Sequence, residues 1–169
     1  YNMSVNELEK KLVKAEQDKV LPKIVMPVHF AGQSCNMKKI HLLSKKYGFK
    51  VIEDASHAIG GKYLNKPVGN CKYSDITVFS FHPVKIITTA EGGVATTNSK
   101  KLFEKMGLIR NHGITRDESI MIGESDGDWY YQQIDLGFNY RMTDIQAALG
   151  VSQLERVDEF ISKRHALQE

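Results

Sequence analysis

The stretch "DITVFSFHPVKIITTAEGGVATTN", residues 75–98, decides the fold class and raises the question of function. A β-rich run, 75–82, opens it and a second short β run, 92–98, closes it. Between them, Lys85 is the only lysine, and it stands among apolar, small and hydroxylic residues. A lysine on a solvated surface usually has charged company, so Lys85 is a candidate functional residue.

Two helices and two β-rich runs are predicted before this stretch. Apolar residues at helical spacing indicate helices over 4–15 and 36–48, each with a capping residue at its start. The run 23–30 is β-rich, although Pro27 either makes it a poor strand or places it near a strand end. The run 50–56, "KVIEDAS", is a short strand whose acidic residues come at its C-terminal end.

The sequence after residue 98 predicts two more helices. Ser99 caps a helix with apolar residues at helical spacing. Residues 111–135 are too polar to pack and are expected to form a long mobile loop. Thr143 and Gln146 fit a capping box, which would open one long helix.

Strands that alternate with helices indicate an α/β protein with a mostly parallel sheet flanked by helices. In such sheets, ligands bind beyond the carboxyl ends of the strands. Polar residues gather at two such ends, and they are Glu53, Asp54, His57, Ser80, His82 and Lys85. The pattern predicts a site at this edge of the sheet.

Composition limits the possible functions. The 169 residues are 41% hydrophobic and 25% charged, as in a globular protein of one domain. The 23 basic residues are spread among 20 acidic ones, with no basic stripe, which argues against nucleic-acid binding. No apolar run is long enough to cross a membrane, and no signal-peptide pattern is present. Cys35 and Cys71 fit no metal spacing, so we expect no metal. In a cytoplasmic protein a disulfide between them is disfavoured, and we expect two reduced, packed thiols.

Each candidate residue also has an ordinary structural interpretation. Lys85 could reach solvent from a loop, or it could be an amine whose apolar surroundings favour the neutral, nucleophilic form. Asp54 could cap a turn, or its carboxylate could pair with a protonated pyridine nitrogen. His57 could be a turn histidine and Ser80 a strand hydroxyl. The individual residues leave these alternatives open.

Three long segments in the correct order are more specific. "VIEDASHAIGG" (51–61), "SDITVFSFHPVKIITTAEGGVATTN" (74–98) and "DLGFNYRMTDIQAALGVSQLERVDEFISKR" (135–164) resemble the DegT/DnrJ/EryC1/StrS family. Its members are pyridoxal-phosphate aminotransferases of fold-type I that aminate keto sugars attached to nucleotides. The resemblance covers nearly the whole chain. It is greatest to the branch that makes 4-amino-4,6-dideoxy sugars, including the enzyme of pseudaminic acid biosynthesis.

The resemblance implies roles for five residues. Lys85 would form the Schiff base with pyridoxal phosphate and later move a proton. Asp54 would pair with the pyridine nitrogen, and His57 would approach the phenolic oxygen. Ser80 would hold the phosphate, together with an Asn139 contributed by the neighbouring subunit of a homodimer. His82 and Arg141 would lie near the site.

The implied reaction moves an amino group from glutamate to the C4 or C3 ketone of a nucleotide-linked 4-keto-6-deoxy sugar. Family members are usually more than twice as long as this chain. We therefore expect residues 1–169 to be a fragment of the cofactor-binding large domain, without its N-terminal part and the small C-terminal domain. We also expect little or no activity from the chain by itself.

Two other classes of function remain open from the sequence. The chain could be a catalytically inactive interaction or regulatory module with the same fold, which would not bind the cofactor. It could also be a generic nucleotide-binding α/β domain. That alternative is disfavoured because the Gly-Gly pairs at 60–61 and 92–93 form neither GxGxxG nor a P-loop.

Overall fold

The computed structural model of the chain describes residues 1–168. The chain divides into two compact units. The first unit comprises Tyr1–Asn98 together with the segment that starts at Asp144, and the second comprises Ser99–Thr143. No helix within the described residues is long and apolar enough to cross a membrane.

The chain forms short helices and strands. The helices are α1 (Val5–Gln17), α2 (Met37–Tyr47), α3 (Lys100–Ile109), α4 (Asp144–Leu154) and α5 (Val157–Ala166). The strands are β1 (Ile24–Val25), β2 (Lys50–Asp54), β3 (Lys62–Tyr63), β4 (Lys66–Pro67), β5 (Ile76–Ser80), β6 (Gly93–Thr96), β7 (Ile114–Thr115) and β8 (Gln132–Gln133).

A four-stranded sheet in the order β1-β2-β5-β6 organises the first unit. Strands β1, β2 and β5 are parallel, which confirms the predicted mostly parallel α/β architecture. Strand β6 is antiparallel to β5. Residues 81–92 connect these two strands without a helix, and a parallel pairing needs a crossover connection, usually a helix.

The first two helices begin where their capping residues predict. The side chain of Ser4 accepts a hydrogen bond from the backbone N–H of Glu7, and Asn36 does the same for Lys39. Helix α2 ends at Gly48, whose φ of 78° is the left-handed conformation that glycine adopts without strain.

The core lies between the sheet and these two helices. Its buried residues are Leu12, Val25, Cys35, Met37, Ile40, Leu43, Tyr47, Phe49 and Val51. The helical spacing of the α2 members brings them to one face, as the sequence predicts. Cys35 and Cys71 are both buried and free, which agrees with the expected packed thiols.

Three sequence-based predictions need correction. The run 23–30 contains only the two-residue β1, since it is interrupted before Pro27. The stretch 111–135 is not entirely irregular, because β7 and β8 pair within it and satisfy polar backbone groups. The predicted long helix is two helices. The α-helical hydrogen-bond pattern is interrupted at Arg156, whose N–H donates to the carbonyl of Gln153, three residues back. The φ of Arg156, −107°, is not helical.

A buried carboxylate joins three segments of the first unit. Glu53 of β2 lies 2.7 Å from Nε2 of His29, and both side chains are almost inaccessible to solvent. The hydroxyls of Thr77 and Ser74 donate to the other carboxylate oxygen. The backbone N–H of Cys35 donates to Nδ1 of His29, so the imidazole carries its proton on Nε2 and donates it to Glu53.

These hydrogen bonds decide the charge of Glu53. Burial by itself would raise its pKa, but the hydrogen bonds from His29, Ser74 and Thr77 outweigh burial and hold the pKa of Glu53 below its ordinary value. The carboxylate therefore stays ionised inside the protein. It fixes β2 against β5 and against the segment that follows β1.

We expect the substitution Glu53→Gln to lower the free energy of unfolding by about 3 kcal/mol, because it replaces one acceptor of a buried, fully partnered group with a donor. Urea denaturation at neutral pH measures the change. The control, Glu9→Gln, removes an exposed partner of Lys46 and should cost less than about 1 kcal/mol.

The same pair of variants gives a pH dependence. A carboxylate whose pKa is lowered by folding contributes stability above its ordinary pKa, and this stability is lost as the pH falls through the folded value. The difference between wild type and Glu53→Gln should therefore shrink in acid. Equal stabilities of the two variants at neutral pH would contradict the structural role of Glu53.

Candidate active site

The carboxyl ends of β2 and β5 form one edge of the sheet. Asp54 is the last residue of β2 and Ser80 is the last of β5. The two strands are parallel neighbours, and Asp54 is in register with Val78. Since side chains two apart on a strand share a face, Asp54, Val78 and Ser80 lie on the same face of the sheet.

Asp54 is held as a carboxylate by its surroundings. Partial burial would raise its pKa, but the backbone N–H of Ser56 donates a hydrogen bond of 3.0 Å to Oδ1. The positive charges of His57 and Lys85 lower the pKa of Asp54 further, so that it lies below its ordinary value. Asp54 thus accepts the hydrogen bond of a turn and remains ionised, whereas its role at a cofactor stays a prediction.

Lys85 lies on a loop that is closed at its base. The backbone N–H of Phe81 donates to the carbonyl of Gly92, and the carbonyl of Phe81 accepts from the backbone N–H of Thr89. Within the loop, the N–H of Lys85 donates to the carbonyl of His82. The Lys85 side chain is half-buried and Ile87 is fully buried, so the lysine is presented from an ordered loop.

His57 lies beside Asp54 in an exposed turn. Its ring is 6.3 Å from that of Phe30, in an edge-to-face arrangement. His57 also lines an open cleft together with Ile86 and His165. His57 and Lys85 both lie near enough to Asp54 for their charges to lower its pKa, and their roles in a site stay predictions.

Ser80 and His82 adjoin this region at the start of the loop. The Ser80 hydroxyl accepts a hydrogen bond of 3.4 Å from the backbone N–H of His82. The His82 ring accepts from the N–H of Val84 through Nδ1, and its Nε2 is 3.9 Å from the carboxylate of Glu91.

Asn139 and Arg141 belong to the second unit. The backbone of Asn139 forms an antiparallel bridge with Asn111. The guanidinium of Arg141 donates to the side-chain oxygen of Asn111 and lines a cleft with His112, Arg116 and Tyr131. The predicted role of Asn139 at a neighbouring subunit's cofactor stays a prediction.

The groups at the sheet edge have a definite chemical capacity. An ionised carboxylate and a hydroxyl lie at the ends of two adjacent strands, and a primary amine lies on the loop that follows the second strand. The amine can attack a carbonyl, and the carboxylate can hold a positive charge on a ligand. No group of three His, Cys, Asp or Glu side chains among residues 1–168 is arranged to hold a metal ion.

Comparison with known proteins decides the family. The sequence model of the DegT/DnrJ/EryC1/StrS aminotransferase family matches residues 1–169. The chain belongs to this family. The assignment made from the three sequence segments is therefore confirmed.

Several relatives carry names that describe their activity. The UDP-4-amino-4,6-dideoxy-N-acetyl-beta-L-altrosamine transaminase of Campylobacter jejuni subsp. jejuni serotype O:23/36 is 40% identical over 98% of this chain and 40% of its own length. The GDP-perosamine synthase of Caulobacter vibrioides is 44% identical over 84% of this chain and 35% of its own length. The chain thus spans less than half the length of these relatives.

Solved structures confirm the fold. PseC of Helicobacter pylori, an aminotransferase involved in the biosynthesis of pseudoaminic acid, is 36% identical, with a TM-score of 0.80 over 93% of this chain and 38% of its own. A Streptococcus pneumoniae protein described as a sugar aminotransferase was solved in its PLP form. It is 27% identical, with a TM-score of 0.71 over 94% of this chain and 41% of its own.

Sequence reasoning missed the structural role of Glu53, whose hydrogen bonds hold β2 and β5 together below the site. Glu53 was expected at the strand end with Asp54, but its side chain points into the core to His29. The signal was available in the alternation of a strand, because neighbours at 53 and 54 must face opposite sides of the sheet. Its partner could not be found, since His29 lies 24 residues away.

The electrostatic interaction between Asp54 and Lys85 can be tested without any ligand. We expect Lys85→Gln to raise the pKa of the Asp54 carboxyl, because a nearby positive charge that favours the carboxylate is removed. Carbon-13 NMR of the Asp54 side chain during a pH titration measures this shift. The control Lys66→Gln alters an exposed lysine on β4 and should leave the titration unchanged. An unchanged Asp54 titration in Lys85→Gln would contradict the proximity.

Proposed function

We propose that this chain provides the pyridoxal-phosphate site of an aminotransferase that transfers an amino group from glutamate to a nucleotide-linked 4-keto-6-deoxy sugar. The observation that carries the proposal is the position of Asp54 at the carboxyl edge of the sheet, near enough to Lys85 for the lysine charge to lower the pKa of Asp54. The names of the relatives in Campylobacter jejuni and Caulobacter vibrioides support the substrate class.

The residues present fit this cofactor. The amine of Lys85 suits its aldehyde, the carboxylate of Asp54 suits its ring nitrogen, and the hydroxyl of Ser80 suits its phosphate. His57 would approach the phenolic oxygen, and Asn139 of a second copy would complete the phosphate site. When bound, pyridoxal phosphate supplies an electron sink and a carrier for the amino group.

Asp54 would keep a proton on the ring nitrogen. Its lowered pKa means that the carboxylate is ionised at neutral pH and cannot itself retain that proton. The hydrogen bond from Ser56 fixes Oδ1, so the charge has a defined position. Such fixed charges stabilise a developing charge without reorganising when the reaction occurs.

Lys85 would serve first as the covalent anchor and then as a base and acid. Its amine, once released, would take a proton from the carbon of the amino donor and return one during the exchange. The closed loop from Phe81 to Gly92 limits the positions that this amine can take. The fixed loop thus favours repeated proton transfer at one place.

The same proposal extends to the organisation of the protein. Residues 1–169 would form the central part of the cofactor-binding large domain, and two copies would pair as a homodimer in the cytoplasm. The coverage of about 40% of the Campylobacter jejuni relative supports the first point. The two buried free thiols suit a reducing compartment.

Covalent trapping tests the proposed anchor. The chain is mixed with pyridoxal phosphate, reduced with borohydride, digested and mapped by mass spectrometry. We expect the adduct to be concentrated on Lys85, together with a shifted absorbance band before reduction, because this amine lies on a hydrogen-bonded loop and its charge acts on Asp54.

The variants Lys85→Arg and Lys66→Arg form a matched pair for this experiment. The first should abolish the band and the site-specific adduct, and the second should retain both. Adducts scattered over many lysines without preference would contradict the proposal. They would favour an inactive interaction module with the same fold.

A further inference from the structure

Helix α4 lies against the loop that carries Lys85. The side-chain amide of Gln146 donates a hydrogen bond of 3.0 Å to the backbone carbonyl of Glu91. Gln146 is in the first turn of the helix, and Glu91 is near the end of the loop. This hydrogen bond ties the helix to the loop.

A second contact lies one turn further along α4. A Cβ placed on Gly150 would stand 2.8 Å from the Cγ2 methyl of Thr89, which is closer than side chains approach. Residues four apart share one face of a helix, so Gln146 and Gly150 meet the same loop segment. A glycine weakens a helix interior relative to alanine by roughly 0.5–1 kcal/mol, which indicates a packing reason for it here.

The loop residues touched by α4 are the ones that fix the base of the loop. The hydroxyl of Thr89 also donates to the carbonyl of Glu91, at 2.8 Å. That carbonyl therefore accepts from both Thr89 and Gln146, which satisfies both of its lone pairs. The N–H of Thr89 binds the carbonyl of Phe81, and Thr89 is only 1% exposed.

We infer that Gln146 and Gly150 are positioning residues for Lys85, because their contacts with Glu91 and Thr89 set the conformation of the loop that presents the lysine amine. Lys85 is four residues from Thr89, with the fully buried Ile87 between them. A displacement of Thr89 is therefore transmitted through a short, packed segment. The functional meaning of this inference rests on the proposed function, whereas the contacts themselves do not.

A crowding variant and its compensating variant test the inference. Gly150→Ala adds the methyl group that meets Thr89, and Thr89→Ser removes the methyl it would meet while keeping the hydroxyl for Glu91. We expect Gly150→Ala to slow the formation of the pyridoxal-phosphate adduct at Lys85 by on the order of tenfold or more, since small displacements of a reacting group have large effects on rate. The double variant should restore the rate.

Removing the hydrogen bond provides an independent test. Gln146→Ala should slow adduct formation by about fivefold, the effect of losing one neutral hydrogen bond. Gln153→Ala, in the same helix, and Gly107→Ala, a helical glycine whose added Cβ would meet nothing within 4 Å, are the matched controls and should leave the rate unchanged.

A measurement without the cofactor separates this inference from the proposed function. The titration of the Asp54 carboxyl, followed by NMR, responds to the position of the Lys85 charge. It should change in Gly150→Ala and return to the wild-type curve with Thr89→Ser. If neither the wild type nor any variant forms the adduct at Lys85, but this titration behaves as described, the proposed function is wrong and the positioning role stands.

Two results would overturn the positioning role. One is a wild-type Asp54 titration in both Gly150→Ala and Gln146→Ala. The other is a Gly150→Ala defect that Thr89→Ser does not reverse. If Gly150→Ala fails to fold, the Asp54 titration in Gln146→Ala decides by itself: a changed curve supports the positioning role, and a wild-type curve overturns it.

Discussion

The buried carboxylate of Glu53 is the constraint on which the rest of the site depends. It accepts hydrogen bonds from His29, Ser74 and Thr77 and remains ionised within the core. An ionised group in such a place is tolerated only when its partners are all in position. Because Glu53 and Asp54 are adjacent on β2, fixing one toward the core fixes the other toward the opposite face.

The hydrogen bonds of Glu53 also affect the position of the loop after β5. Thr77 lies on β5, so the bond to Glu53 also sets the strand that leads to Ser80 and Lys85. The antiparallel return of β6 then closes the loop, with Phe81 bonded to Gly92 at its base. Asp54 thus ends one strand and Lys85 lies on the loop after another, and the hydrogen bonds of one sheet fix the positions of both segments.

Sequence reasoning succeeded where the signal is local. The spacing of Met37, Ile40, Leu43 and Tyr47 predicted α2 and its buried face, and Asn36 marked its start. Alternating strands and helices predicted the mostly parallel sheet, and long ordered segments predicted the family. The proximity of Asp54 and Lys85 follows from the rule that parallel strands present their carboxyl ends at one edge.

It failed where long-range contacts decide the structure. The two-residue strands β7 and β8 are too short to leave a periodic pattern, and their pairing joins residues far apart in sequence. The break at Arg156 interrupts a run with continuous helical periodicity. The close approach of Gly150 to Thr89 depends on packing between α4 and a distant loop, which no local pattern of the sequence records.

The central proposal is that the Asp54 carboxylate, at this edge of the sheet, would keep a proton on the ring nitrogen of pyridoxal phosphate held at Lys85. Nitrogen-15 NMR of ring-labelled pyridoxal phosphate, fixed on the chain by borohydride, tests it directly. The account predicts a protonated ring nitrogen at neutral pH in the wild type and loss of that proton in Asp54→Asn. The same nitrogen shift in both proteins, or an unprotonated ring in the wild type, would contradict it.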